Sequence, residues 1–350
     1  PYWEPRDAQS GEYIQSYNAI WGATRSMPNP LYEASLGNYN RGNYKEWTDN
    51  LSFNWYIGSH LLVKGQYAVT FNESEYRKFT DPESTRYAKR DELLKKGELT
   101  IEQTKKLKHN INLFSAYNLT DNQHYVNISL GFNLISGYFD HSKFQYRGFP
   151  NKNLSEPAYA YEITGKPYFS DNKTRLLGSF LTVNYSYQNI YFIDGSTRID
   201  GSSEFGTERK WAPFWSVGIG LNIHNYPFFK NKDKLKILRL TANTGRTGKS
   251  NFAPYMASNM FKIMNDDWYP TGIGAGLIHM GNKKLTWEKN LSKNLALDIA
   301  TSRYFTFRFE IYDKITDDLI GDVSLPSSSG FKIYKENIGK ISNKGFESKM

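Results

Sequence analysis

The sequence predicts an all-β fold, a transmembrane antiparallel β-barrel fragment of about eleven strands, and three observations predict it. Side chains alternate between apolar and polar with a period of two in one segment after another. Tight turns and long loops then alternate between those segments. Finally, no stretch of the 350 residues offers the ~20 consecutive apolar positions that a membrane-spanning helix needs.

The alternation is clearest between Tyr125 and Leu134, where Val126, Ile128, Leu130, Phe132 and Leu134 interleave with Asn127, Ser129, Gly131 and Asn133. Trp215, Val217, Ile219, Leu221 and Ile223 repeat it against Ser216, Gly218, Gly220, Asn222 and His224, and Phe305, Phe307, Phe309 and Ile311 against Thr306, Arg308, Glu310 and Tyr312. In a barrel the bulky face meets lipid and the polar face lines a wet lumen. Val126, Ile128, Leu130, Phe132, Val217, Ile219, Leu221, Phe305, Phe307 and Phe309 are therefore expected to face lipid, and Arg239, Arg308 and Glu310 the lumen. Trp47, Trp55, Tyr187, Tyr191, Trp211 and Tyr304, near strand ends, suit interfacial aromatic girdles.

Strands are expected to start near Tyr44, Leu61, His109, His124, Thr174, Ile190, Trp211, Lys234, Asn290, Tyr304 and Lys340. Tight turns fall at Gly58-Ser59-His60, Asp121-Asn122-Gln123, Gln188-Asn189 and Thr301-Ser302-Arg303, with a somewhat longer link from Asn225 to Asp233. Long connections run from Asn72 to Lys108, Ser136 to Lys173, Gly201 to Lys210, Arg246 to Lys289 and Lys314 to Gly339. Outer-membrane barrels sort their links in this way, short at the periplasmic rim and long outside. A soluble β-sandwich, with its apolar faces turned to a core, is the alternative for the same pattern. One long connection is expected to hold helices: Asp81-Pro82-Glu83 reads as a helix start with Gly97 as its stop, and Thr100 and Gln103 have capping-box spacing ahead of Leu107.

Composition narrows the chemistry. With no cysteine, thiolate catalysis, disulfides and cysteine-ligated metals are excluded. The net charge of +9 is dispersed, and its one dense run, Lys89 to Lys108, is interleaved with Asp91, Glu92, Glu98 and Glu102, so no nucleic-acid partner is expected. Gly245-Arg246-Thr247-Gly248-Lys249-Ser250 imitates the end of a phosphate-binding loop, but Asn243 stands where its first glycine belongs and no helix pattern follows. Gly272, Gly274 and Gly276 read as a glycine-rich external loop rather than a dinucleotide fingerprint. The six histidines lack paired metal-site spacing, and Asp266-Asp267 and Asp317-Asp318 read as solvated loop acids. No serine sits in a nucleophile elbow. No catalytic, cofactor or metal site is expected, and the chain is read as a non-enzyme. It opens at Pro1-Tyr2-Trp3 without an export signal and ends at Phe346-Glu347-Ser348-Lys349-Met350 inside a strand pattern, which reads as a fragment of a longer barrel.

Specific words of the sequence carry a family resemblance. Asp200-Gly201-Ser202-Ser203-Glu204-Phe205-Gly206 followed by Trp211-Ala212-Pro213-Phe214-Trp215-Ser216-Val217 resembles a strand-loop-strand stretch of SusC/RagA-type TonB-dependent outer-membrane transporters. The stretch from Leu235 to Gly248, then Leu285-Thr286-Trp287-Glu288-Lys289, and finally Asn337 to Glu347 follow in the family's order. The resemblance covers about Asp200 to Glu347, while earlier stretches such as Gly148-Phe149-Pro150 match more loosely.

It implies a 22-stranded barrel of the bacterial outer membrane of which residues 1–350 are one part. An N-terminal plug, a TonB box and the closing strands would lie outside this chain. It also implies a SusD-like surface lipoprotein lid, energy coupling through TonB, ExbB and ExbD, contact with outer-membrane lipid, and import of an oligosaccharide or peptide. Trp268, Tyr269 and Tyr334, on predicted outer loops, are the candidate cargo or lid contacts. A soluble secreted β protein that binds or cleaves glycans is the rival reading, and a surface adhesin or passive porin the third.

Overall fold

The computed structural model describes residues 5–18, 26–89, 92–206, 208–229, 235–249, 255–301 and 305–350. In chain order the elements are β1 (Ser16–Asn18), β2 (Ser26–Pro28), α1 (Pro30–Ser35), β3 (Tyr39–Ile57), β4 (Leu61–Thr80), β5 (Glu98–Asp121), β6 (His124–Arg147), β7 (Glu162–Ile163) and β8 (Tyr168–Tyr187). There follow β9 (Tyr191–Ser202), β10 (Trp211–Asn222), β11 (Leu235–Lys249), β12 (Met260–Tyr269), β13 (Gly272–His279), β14 (Glu288–Thr301), β15 (Thr306–Ser324) and β16 (Ile333–Lys349).

One twelve-stranded sheet takes the order β16-β15-β14-β11-β10-β9-β8-β6-β5-β4-β3, with β7 added beside β6. Along that path each strand pairs with the next one of the sheet in chain order, with the β12-β13 hairpin set between β11 and β14 and β7 between β6 and β8, which is an up-and-down meander. The two separate facing sheets of a sandwich are not seen among the described residues; β1-β2 and β12-β13 are small hairpins. By compactness the chain divides into a first unit, Pro1–Thr48, Thr70–Leu107 and Tyr138–Asn172, and a second, Asp49–Val69, Lys108–Gly137 and Lys173–Met350.

The expected starts of the eleven main strands agree with the structure to within a few residues for Leu61, His124, Ile190, Trp211 and Asn290. Lys234 and Tyr304, with the Ser302-Arg303 turn, lie outside the described residues. The tight turns have the backbone that reversal requires: Gly58 has φ +61°, and Gln188 and Asn189 both take the left-handed region at +52° and +54°.

Three expectations fail on the loop side. First, 98–108 is strand rather than helix, because Leu99 is wholly buried against Phe79 and Phe149, and Gln103 reaches across to Glu75 at 2.9 Å. Pairing with a neighbouring strand outweighs the local capping spacing of Thr100 and Gln103. Second, among its described residues the Asp81–Gly97 stretch holds two short 3-10 turns, Thr85–Tyr87 and Leu93–Lys95, in place of a helix. The Asp81 carboxylate is drawn away by the Gly37 amide (2.7 Å) while also holding Glu83 N (3.0 Å), and Gly97 turns the chain into β5 at φ +80°. Third, Gly272, Gly274 and Gly276 lie in β13, paired with β12, and not in an open loop. The strands β4, β5, β6, β8, β15 and β16 likewise run well into the stretches read as long connections.

Candidate functional site

The sheet of the second unit has two chemically distinct faces, and strand register builds them. On one face Ile193, Ile219, Ala242, Leu295, Ile311 and Phe346 lie side by side across β9, β10, β11, β14, β15 and β16. Leu221, Leu240, Leu297 and Phe309 form the adjacent row. One residue over, on the opposite face, run Asp194, Gly218, Asn243, Asn294, Tyr312 and Gly345, and then Asn222, Arg239, Asp298, Arg308 and Lys349. Period-two side-chain direction does this at every strand at once, so the apolar rows are continuous. Many of these apolar side chains lie open: Ile219 is 55% exposed and Leu130, on β6, 56%.

The polar face is wired together. Arg308 bonds Asp298 at 3.2 Å and Glu310 at 3.0 Å, Asn294 donates to Asn243 at 3.0 Å, and Asn184 to Asp194 at 2.6 Å. The Arg239 guanidinium sits 4.4 Å over the Phe192 ring, which itself covers Gly220, where a Cβ would come within 1.8 Å of the ring. The structure thus brings Arg239, Arg308 and Glu310 onto one face. Val217, Ile219, Leu221, Phe307 and Phe309 share the other, while Val126, Ile128, Leu130 and Phe132 alternate along β6. Phe305, just ahead of β15, is exposed and stacks on Phe307 at 6.2 Å.

At the loop ends each unit holds a cavity. In the first unit Asn29 caps α1 through Leu31 N (3.0 Å) and ties it to the carbonyls of Ile14 (2.7 Å) and Pro5 (3.1 Å). The Glu33 carboxylate then accepts from Thr85 N (2.8 Å) and Ser84 Oγ (2.9 Å). Burial alone would raise its pKa, but these bonds and those from Thr85 Oγ1 and Asn38 hold it below the ordinary value. Gly148, at φ +83°, lets the next loop pass where a Cβ would stand 2.0 Å from the Leu94 carbonyl. These segments enclose about 1120 Å³ walled by Tyr13, Tyr32, Tyr87, Phe149, Tyr159 and Tyr161, with Glu12, Glu83 and Lys96 at hand. Burial raises the Tyr32 pKa, so its hydroxyl stays a hydrogen-bonding group.

In the second unit Phe205, Ala212, Phe214 and Trp287 form a buried cluster, with Phe205 and Trp287 rings 4.4 Å apart. Asn337 pins the strand ends beside it, accepting from Thr286 N (2.9 Å) and donating to the carbonyls of Thr286 (2.9 Å) and Asp318 (2.7 Å). A cavity of about 760 Å³ opens there, lined among others by Arg209, Lys284, Glu336 and Tyr334. Tyr334 is therefore in a cavity wall. Trp268 and Tyr269 have backbone places at the end of β12, but their side chains lie outside the described residues. Sequence reasoning missed both cavities, since their walls come from loops without periodicity. The clustering of tyrosines at Tyr159 and Tyr161 ahead of a strand was the one visible sign. No group of three metal-ligating side chains occurs among the described residues.

The family model described as TonB dependent receptor-like, beta-barrel, matches residues 3–349. The chain belongs to the TonB-dependent receptor β-barrel family. It is similar to SusC of Bacteroides thetaiotaomicron, 30% identical over 182 residues that make up 50% of this chain and 18% of that protein. A TonB-dependent receptor of Formosa agariphila is 28% identical over 238 residues, 67% of this chain and 23% of the relative. The chain thus spans about a fifth of the length of the curated relatives it matches. Among solved structures, the RagAB peptide transporter superposes on 97% of this chain and 37% of its own with a TM-score of 0.85 at 23% identity, which shows a shared fold. As a TonB-dependent receptor barrel the chain is a protein of the bacterial outer membrane, and the soluble sandwich reading is set aside.

Proposed function

We propose that this chain is part of the barrel of a SusC/RagA-type importer, and that its cargo is an oligosaccharide. The two-faced sheet is the observation that carries the import reading. Its exposed apolar rows suit lipid, and the row Asn222-Arg239-Asp298-Arg308 suits the wall of a wet passage. The lipid-facing and lumen-facing assignments made above are retained on that basis. The plug, the TonB box and the remaining strands belong to parts of the protein beyond these residues. A SusD-type surface lipoprotein closes the outer side, and the TonB, ExbB and ExbD system supplies the pull.

The cargo reading rests on the first unit's cavity. Its tyrosine rings offer flat apolar faces edged with hydroxyls, which match the pyranose ring, and Tyr159 and Tyr161 are 50% and 58% exposed. Tyr334 is kept as a candidate cargo or lid contact in the second unit, and Trp268 and Tyr269 on their place in β12. Uptake of labelled oligosaccharides and peptides by the native host, with and without the full-length gene, tests both levels. In the Tyr159→Ala/Tyr161→Ala variant, two lost stacking contacts of about 1 kcal/mol each should weaken oligosaccharide binding roughly tenfold or more. Uptake of peptides alone would overturn the oligosaccharide reading and leave import standing.

A further inference from the structure

Toward the loop ends of the strands the rows of the apolar face cease to be wholly apolar. Across β10, β11, β14, β15 and β16, Val217, Thr244, Lys293, Asp313 and Lys344 stand side by side. The next row outward holds Trp215, Arg246, Leu291, Ile315 and Ser342. Immediately inward comes the wholly apolar row of Ile219, Ala242, Leu295, Ile311 and Phe346. The charges therefore begin one step, about 7 Å of strand, beyond the apolar rows.

Their balance is uneven. Asp313 pairs with Lys344 at 3.4 Å while standing directly opposite Lys293 as well. Neither Lys293 nor Arg246 has a carboxylate at ion-pair distance among the described residues. Thr244 is opposite Lys293 and Arg246 opposite Leu291, so Arg246 and Lys293 are diagonal neighbours on paired strands. Like charges at that spacing, roughly 7–8 Å, repel one another.

We propose that Arg246 and Lys293, with Trp215 beside Arg246, seat the phosphate headgroup of an anionic lipid of the outer leaflet. A phosphate offers several acceptor oxygens to an arginine fork and an ammonium together, which turns their repulsion into a shared attraction. The height fits, since headgroups lie just beyond the hydrocarbon. Trp215, 42% exposed and directly opposite Arg246, has the amphipathic ring that settles at this level. The seat lies on the apolar face, opposite to that of Arg239 and Arg308, so it serves lipid and not cargo.

The test uses the full-length protein purified from its own outer membrane in mild detergent, with bound lipid counted by native mass spectrometry. Wild type should retain a phosphorylated lipid. Each basic residue near an anionic surface is worth about fivefold in affinity, so Lys293→Gln should lower retention about fivefold and Arg246→Gln/Lys293→Gln about 25-fold. Lys236→Gln, near the turn end of the same β11, should change nothing. Equal retention by wild type and Lys293→Gln would overturn the proposal. So would a wild-type protein that binds inorganic phosphate as strongly and keeps no lipid. If the double variant fails to assemble, the single substitution still decides.

Discussion

The two units secure their loop ends by opposite means. In the first, Asn29, Glu33 and Asp81 hold α1 and the loops after β4 through hydrogen bonds to backbone amides and hydroxyls, beside the small apolar cluster of Phe79, Leu99 and Phe149. In the second, aromatic rings dominate, with Phe214 edge-on to Trp287 at 5.6 Å and Phe205 closer still. Neither face of the second unit's sheet supplies a conventional core, because many of its apolar side chains, Ile219 and Leu295 among them, lie exposed. Tertiary packing is therefore concentrated where strands meet loops, and what fastens each end decides how that end responds to mutation and to pH.

Removing the largest ring should show the contrast most strongly. Trp287→Ala in the second unit should cost about 3–5 kcal/mol of local stability, as for other buried aromatic truncations. Hydrogen exchange at the amides of Gly206 and Leu285, which bond to Leu285 O and Asn282 O, should read that loss. The amide of Thr85 in the first unit should be unmoved. Trp287→Phe should be far milder, since the buried indole N–H meets no acceptor among the described residues. If Phe cost as much as Ala, ring packing would not be what holds this end.

The converse substitution acts on the first unit. Glu33→Ala removes an acceptor that serves Thr85 N, Ser84 Oγ and Asn38 Nδ2 (3.1 Å), and the loss should be about 2 kcal/mol, the scale of hydrogen bonds to a charged group. Exchange at Thr85 should speed up while Leu285 stays protected. Comparable exposure at both sites would show that the two ends are coupled rather than separately fastened.

How much of this was legible follows from which forces are periodic. The strands could be read because alternation repeats, and Trp211 and His124 begin strands at the positions expected of them. The words from Asp200 to Gly206 and from Leu285 to Lys289 could be read as family marks, yet nothing in their spacing shows that Phe205 and Trp287 stack. Contacts between loops distant in sequence leave no period. The stretch around Thr100 misled for a related reason, since its capping spacing is a local signal and Leu99 answers to partners at Phe79 and Phe149. Tyr334 could be placed in a loop-end region by pattern, but its cavity depends on Asn337 joining Thr286 to Asp318, which only three dimensions reveal.

The smallest expected effect separates the two fastenings by sign. Hydrogen bonds outweigh burial at Glu33 and lower its pKa in the folded state, so its contribution is present above the ordinary glutamate value near 4.5 and fades as pH falls through the lowered one. At Glu204, in the loop after β9, burial raises the pKa despite the bond from Ser202. The folded loop there holds its proton more tightly than the unfolded chain, so stability is greatest below the ordinary value and declines as pH rises from it through the raised one. Acidification from neutrality should first tighten the loop at Gly206 and only at lower pH loosen Thr85. Exchange at the two amides, corrected for its intrinsic pH dependence, measures both. In Glu204→Gln the tightening should vanish and the loosening at Thr85 remain. Parallel movement of the two sites in the native protein would contradict the assignment of opposite fastenings.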